Sequence, residues 1–286
     1  MEKESLQKFG GDWSDAKLSA LGQYLNSYTT AMKNTPFRLA YIDGFAGAGM
    51  SEVQSLNLSQ EEKKFRHGSP LIALRNEPPF HTLIFIEKNK EALIALEAQI
   101  KKDPSSIGRD IRYLQGDANE KLRSLCQKDW KSHRAVVFLD PFALQVKWET
   151  IELIAQTEAI DLWLLFPAMA VNRMLPKSGK IPYKWAKRLD ELFGTNDWRE
   201  TFYEKQPPDL FGEEFITKSF KVFETLSDYV TSRLSCVFAK ANKRPLILRN
   251  STSAPIFLLC FASGNPKGSD IAVRIAQHII DKSPHG

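Results

Sequence analysis

A chain of 286 residues, 43% hydrophobic and 26% charged, is of ordinary globular composition and can bury a core large enough to shape a pocket. Its net charge of +5 is compatible with a nucleic-acid partner and does not demand one. Three widely spaced cysteines without a Cys-x-x-Cys pair exclude a zinc ribbon or a disulfide framework, so no metal is expected. No apolar run approaches the length of a bilayer span, and the first residues lack a signal-peptide core, so the reading is cytoplasmic with no membrane partner.

The first period along the chain is helical. Leu18, Leu21, Leu25 and Tyr28 fall at steps of three and four, with Ser14 or Asp15 as a cap. Residues 37–42 form a short β-rich run that ends in a glycine-rich turn, and the polar stretch 51–67 reads as an insertion. A helix starts near Ser69, where Pro70 suits a first helical position. Residues 81–86, 111–114, 135–139 and 160–166 read as strands. Between them lie helices at 88–102, with Ala92, Leu93, Leu96 and Ile100 inward, at 119–127 and at 148–155. This rhythm predicts a mostly parallel α/β sheet with helices on both faces.

Residues 168–206 read as helical and are rich in Lys, Arg and Trp. They are followed by a Pro207-Pro208 break and a helix at 213–233. Residues 236–241 and 255–261 read as two closing strands holding Cys236 and Cys260, and the loop between them includes Leu246 to Arg249. A last helix at 269–280 carries Ile271, Ile275 and Ile279 at a step of four. With no repeat and no clean linker, the chain reads as one domain over 1–286, with a polar insertion at about 51–67 and a helical one at about 168–233.

Four features fall at the carboxyl ends of successive strands, where open α/β sheets bind ligands. The first is the turn Asp43, Gly44, Phe45, Ala46, Gly47, Ala48, Gly49, whose glycines let a ligand press against the backbone. It lacks the three-glycine dinucleotide spacing, which favours an amino-acid-bearing nucleoside over a pyrophosphate. Glu87, after the second strand, can accept both hydroxyls of a ribose; taken alone it reads as a helix-capping glutamate. Asp117, between Gly116 and Ala118, reads equally as an acceptor for an adenine amine or as a helix N-cap. Asp140-Pro141-Phe142 closes the most apolar strand, as a plain Asp-Pro turn or as the place where chemistry happens.

With these residues in place, resemblances appear. Asp-x-Phe-x-Gly-x-Gly at 43–49 resembles the first motif of many nucleic-acid methyltransferases. Asp140-Pro141-Phe142 resembles the Asp-Pro-Pro-aromatic motif of enzymes that methylate exocyclic base amines, with one proline where those have two. The chain is similar to the three-Cys-motif partner family of bacterial and phage proteins, named for a neighbouring protein with three cysteines. The similar stretches are Lys17-Leu18 with Tyr24-Leu25, Tyr41 to Gly49, Gly68-Ser69-Pro70, Leu139 to Phe142 with Trp148, Asp161 to Pro167, and Asn172-Arg173. More distantly it resembles ribosomal-RNA adenine-N6 methyltransferases.

The resemblance implies a Rossmann-like class I methyltransferase sheet ending in an antiparallel hairpin, with S-adenosylmethionine as cofactor. It implies that Asp43, Gly44, Phe45, Ala46, Gly47 and Gly49 line the methionine part, with Lys17 over its carboxylate. Glu87 would hold the ribose, Asp117 and Ala118 the adenine, and Asp140, Pro141 and Phe142 the acceptor. The expected activity is methylation of an RNA or DNA base, with the basic, aromatic stretch 177–188 on phosphates or as a solvated helix face. Its rivals are a cofactor-binding subunit that partners a three-Cys-motif protein without transferring a methyl group, and a protein or small-molecule methyltransferase.

Overall fold

The computed structural model describes residues 12–48, 68–207 and 215–283. Helix α1 (Asp12–Met32) precedes β1 (Arg38–Asp43). Then follow α2 (Ser69–Leu74), β2 (Thr82–Glu87), α3 (Lys90–Lys101), β3 (Asp110–Gln115), α4 (Ala118–Cys126), β4 (His133–Leu139), α5 (Trp148–Gln156) and β5 (Ile160–Phe166). Helices α6 (Ala168–Met174), α7 (Tyr183–Phe193) and α8 (Trp198–Phe202) come next, then the ribbon β6 (Tyr203–Gln206) and β7 (Phe215–Lys218) and helix α9 (Val222–Val237). The chain closes with β8 (Lys240–Ala241), β9 (Leu246–Arg249), β10 (Pro255–Ser263) and α10 (Ser269–Asp281).

The main sheet has eight strands in the order β3-β2-β1-β4-β5-β10-β8, with β9 also paired to β10. Strands β1 to β5 run parallel, while β10 runs antiparallel to β5, β8 and β9. Side chains alternate across the pleat and divide the core in two. Ile42, Ile84, Val137, Leu139, Leu162 and Leu164 face the layer of α4 to α9. Tyr41, Leu83, Phe85, Phe138, Trp163 and Phe261 face α1, α2, α3 and α10. All seven residues of β5 are buried, as a central parallel strand covered on both faces requires. The expected α/β class, with its closing hairpin, is the observed one.

Several local expectations are corrected. Helix α1 already runs at Asp12, so Ser14 and Asp15 lie inside it and not ahead of its start. In α3, Leu93, Leu96 and Ile100 are buried, but Ala92 is only half-buried. Residues 203–206 are strand, not helix, because they pair with 215–218 across a gap that no local pattern reveals. The helix expected at 213–233 begins only at Val222, because residues 215–218 are strand β7; as α9 it then continues through Cys236. Leu226, Val230 and Leu234 pack at steps of four, and that packing overrides the β-rich composition at its end. Cys236 is therefore exposed on a helix and only Cys260 lies in a buried strand. The closing partner of β10 is mainly β9, in the segment read as loop, with β8 reduced to two residues.

In α10 the Ile271, Ile275, Ile279 series does not form one inward face. Four residues advance about 400°, so the series drifts about 40° per step, from Ile271 at 58% exposed to Ile279 at 7%. The stretch 51–67 and residue Pro208 lie outside the described residues. Among the described residues no helix is long and apolar enough to cross a membrane.

Candidate functional site

The strand order reverses between β1 and β4, the kind of place where open α/β sheets bind ligands. Asp43 ends β1 opposite Phe138, and Asp140 lies two residues beyond Phe138. The turn after Asp43 is held from both neighbouring strands. Gly44 N donates to Phe138 O on one side (2.9 Å), and Ala46 N donates to Ile86 O on the other (3.0 Å). A Cβ at Gly44 would sit 2.5 Å from Leu139 Cδ2, so only glycine lets the turn approach β4 this closely. Gly44→Ala is expected to lower unfolding stability by about 1–3 kcal/mol. Urea titration checks this, and a variant as stable as the wild type would show the contact to be slack.

Asp43 is fully buried and its carboxylate faces the protein. It accepts from Phe45 N and from the Tyr41 hydroxyl, each at 3.2 Å, and it is hydrogen-bonded to Ser69. Burial pushes its pKa up to about 6; the bonds from Ser69 and Phe45 oppose this, and the charge of Asp140 adds to it. Asp43 thus organises the turn from beneath. Gly47 adopts φ +58°, a left-handed conformation open to glycine, and a Cβ built there would meet no atom within 4 Å. Phe45 is half-buried against the core and Ala46 is buried. Gly49 lies outside the described residues.

Glu87 is the last residue of β2 and half-exposed. Its Oε2 accepts from Gly47 N (2.9 Å) and its Oε1 from Asn89 N (2.7 Å). Each carboxylate oxygen has room for a second donor, so this residue ties the turn to β2 and can still receive hydroxyls. Asp117 is the N-cap of α4: Oδ1 accepts from Asn119 N at 2.9 Å, while Oδ2 stands 3.9 Å from Lys88 Nζ. The capping reading is thereby observed, while the second oxygen faces Lys88. Ala118 is buried in the first turn of α4. The open left-handed glycine, the half-exposed Glu87 and the outer face of Asp117 form a continuous edge across β1, β2 and β3.

Asp140 is paired with Lys17, which reaches over from α1: Nζ to Oδ2 is 2.5 Å. The lysine side chain is buried and that of Asp140 is 27% exposed. Lys17 also lies 5.3 Å from the Trp13 ring centroid. Among the described residues, Oδ1 of Asp140 has no partner. Pro141 is buried, while Phe142 is 81% exposed, its N–H donating to Gln145 Oε1. An aromatic side chain this exposed beside a partly buried ion pair offers its ring for stacking.

Four contributors were not singled out from sequence. Tyr41 and Ser69 complete the shell of Asp43, and Asn119 and Gln145 hold the loop after β4. Ser69 stands in a Gly-Ser-Pro stretch that signalled a helix start but not a carboxylate partner. The stretch 177–188 presents Lys184, Tyr183, Trp185, Lys187 and Arg188 to solvent, with Tyr183 80% exposed, while Leu189, Leu192 and Phe193 of α7 face the core.

No protein-family model matches the chain, and no curated protein matches it by sequence. Solved structures with a similar chain course include a Legionella pneumophila protein of the DUF519 family, 16% identical over 77% of this chain and 93% of that one, TM-score 0.44. Another is Trm1 from Pyrococcus horikoshii in complex with S-adenosylmethionine, 10% identical over 80% and 62%, TM-score 0.36. A third is a SAM-dependent methyltransferase from Methanosarcina mazei, 15% identical over 80% and 93%, TM-score 0.36. Likenesses this distant say nothing of this chain's chemistry, which its own residues must supply.

Proposed function

We propose that this protein is an S-adenosylmethionine-dependent methyltransferase whose acceptor is an exocyclic amine of a nucleic-acid base. One observation carries the reading. The turn at 44–47, Glu87, Asp117 and Asp140 stand on the carboxyl ends of four adjacent parallel strands, around the point where strand order reverses. Bound S-adenosylmethionine supplies an electrophilic methyl group. The turn and Glu87 orient the nucleoside, with Asp117 Oδ2 at the adenine end. Lys17 fixes Asp140 through Oδ2 and leaves Oδ1 to accept from an amine. Such a bond favours the tetrahedral nitrogen of the transition state over the flat, delocalised ground state. Phe142 offers its exposed ring to the base, a contact worth about 1–3 kcal/mol where bases stack on aromatics. The exposed lysines, arginine and aromatics of 183–188 supply a surface for phosphates.

The test is calorimetry with S-adenosylmethionine, followed by transfer of a tritiated methyl group to total RNA, DNA and protein. Label in protein alone, or in none of the three, would overturn the acceptor assignment. Glu87→Ala is expected to weaken cofactor binding about tenfold or more, since it removes a charged acceptor and frees Gly47 N, and Glu87→Gln by less. Equal affinities in the three proteins would show that Glu87 only braces the turn. The ion pair itself favours a second reading. An Asp140 already neutralised by Lys17 suits a subunit that binds the cofactor beside a three-Cys-motif partner and transfers no methyl group. Full biological activity in an Asp140→Ala strain would favour that reading.

A further inference from the structure

The loop 140–147 between β4 and α5 has no regular structure, yet it carries both Asp140 and Phe142. Lys17 of α1 holds its first residue, and a side chain of α4 holds the rest. Asn119, in the first turn of α4, donates through Nδ2 to Gln145 O at 3.0 Å and accepts at Oδ1 from Lys147 N at 3.0 Å. The same Oδ1 accepts from Thr150 Oγ1 at 2.8 Å, and Nδ2 also donates to Asp117 Oδ1 at 3.1 Å. Two donor hydrogens and two lone pairs are therefore all engaged. The opposite orientation of the amide would set its NH2 against the Lys147 N–H.

Beyond Asn119 the chain of contacts continues, because Gln145 Oε1 accepts from Phe142 N at 2.9 Å. Ala143, the next residue, has φ +60°, a conformation costly for a residue with a side chain unless its surroundings impose it. A continuous path thus runs from Asp117, at the adenine end of the proposed site, through Asn119 and Gln145 to Phe142 at the acceptor end.

We propose that Asn119 is a positioning residue that couples the two ends of the site, so that occupation of the Asp117 end firms the loop that presents Asp140 and Phe142. The inference rests on the cofactor reading above. Its physical basis is shared ordering. A ligand that immobilises Asp117 also immobilises the amide bonded to it, and the loop then loses less freedom when an acceptor arrives. By linkage, an acceptor tightens cofactor binding by the same factor.

The experiment measures amide hydrogen exchange over 142–147 in the full chain, with and without S-adenosylhomocysteine, alongside calorimetry of that ligand. In the wild type the ligand is expected to slow exchange in this loop about fivefold or more. Asn119→Ala should abolish the response. Gln145→Ala, at an exposed position that leaves folding intact, should abolish it at Phe142 while Lys147 still responds. Gln145→Glu, which keeps an acceptor for the Phe142 N–H, should restore it. Ligand binding with no loop response, or a response that persists in Asn119→Ala and Gln145→Ala, would overturn the coupling and leave the cofactor reading standing. No binding heat would overturn both.

Discussion

An Asp140→Asn variant is expected to lose about 10²–10³-fold in methyl transfer while binding S-adenosylmethionine within about threefold of the wild type. The amide keeps the shape of the side chain and one acceptor oxygen but removes the charge that favours a tetrahedral nitrogen. Cofactor contacts, in this reading, lie on the turn, Glu87 and Asp117, so affinity should hold. The variant also leaves the buried Lys17 ammonium facing a neutral group. Breaking a fully buried pair typically costs about 3–5 kcal/mol. Because Asp140 is 27% exposed, solvent screens part of this, and about 1–3 kcal/mol is expected. Adding Lys17→Met should return most of that stability without returning transfer, since the uncompensated charge is gone and the chemistry is not. Tritium transfer, calorimetry and urea unfolding on the four proteins of this cycle check each part. Transfer retained in Asp140→Asn would remove Asp140 from the chemistry. Loss of cofactor affinity in parallel would mean that the ion pair shapes the cofactor site instead.

Unfolding stability is expected to fall as pH rises from about 4 to about 6, through two buried carboxylates. Burial pushes Asp43 and Asp161 up to about 6 each. For Asp161 the bonds from Ser263 and Tyr24, at 2.5 and 2.7 Å, oppose the shift without cancelling it. A folded-state pKa above the unfolded value means that the native protein binds the proton more tightly. Each group's contribution is therefore fully present below about pH 4 and lost as pH passes through about 6. Over the whole window that is about 3 kcal/mol per group, and about 1–2 kcal/mol between pH 5 and pH 7.5. His81, held below its ordinary value chiefly by burial and also by Arg38 and His133, acts in the opposite direction.

The clean measurement is therefore a comparison with Asp161→Asn, remote from the proposed site at the start of β5. Its amide can accept from one of the two hydroxyls and donate to the other. Relative to the wild type, this variant should gain about 1–2 kcal/mol on going from pH 5 to pH 7.5 in urea titrations. An unchanged difference would show that Asp161 titrates normally in the fold.

The alternation of strand and helix, the place of β4 in the middle of the parallel sheet and the positions of the four strand-end motifs were all legible in the linear chain. Each depends on local period or on turn chemistry, and both operate over a few residues. Ala135 to Leu139 contains no polar residue and reads as the middle of a parallel sheet before any partner is known. Asp117 read equally as a cap and as an adenine acceptor, and the structure shows it capping α4.

What only the tertiary structure decided are the pairings between distant segments. Lys17 meets Asp140 across 123 positions, and Tyr24 meets Asp161 across 137. No periodicity encodes such contacts, because they arise from the packing of α1 over the sheet. The same holds for the ribbon of β6 and β7 and for β9, each of which becomes a strand by finding its partner's hydrogen bonds. Asp43 shows the division most directly. Its place at the end of β1 follows from sequence, while the direction of its carboxylate follows from Tyr41 and Ser69, which close over it from below.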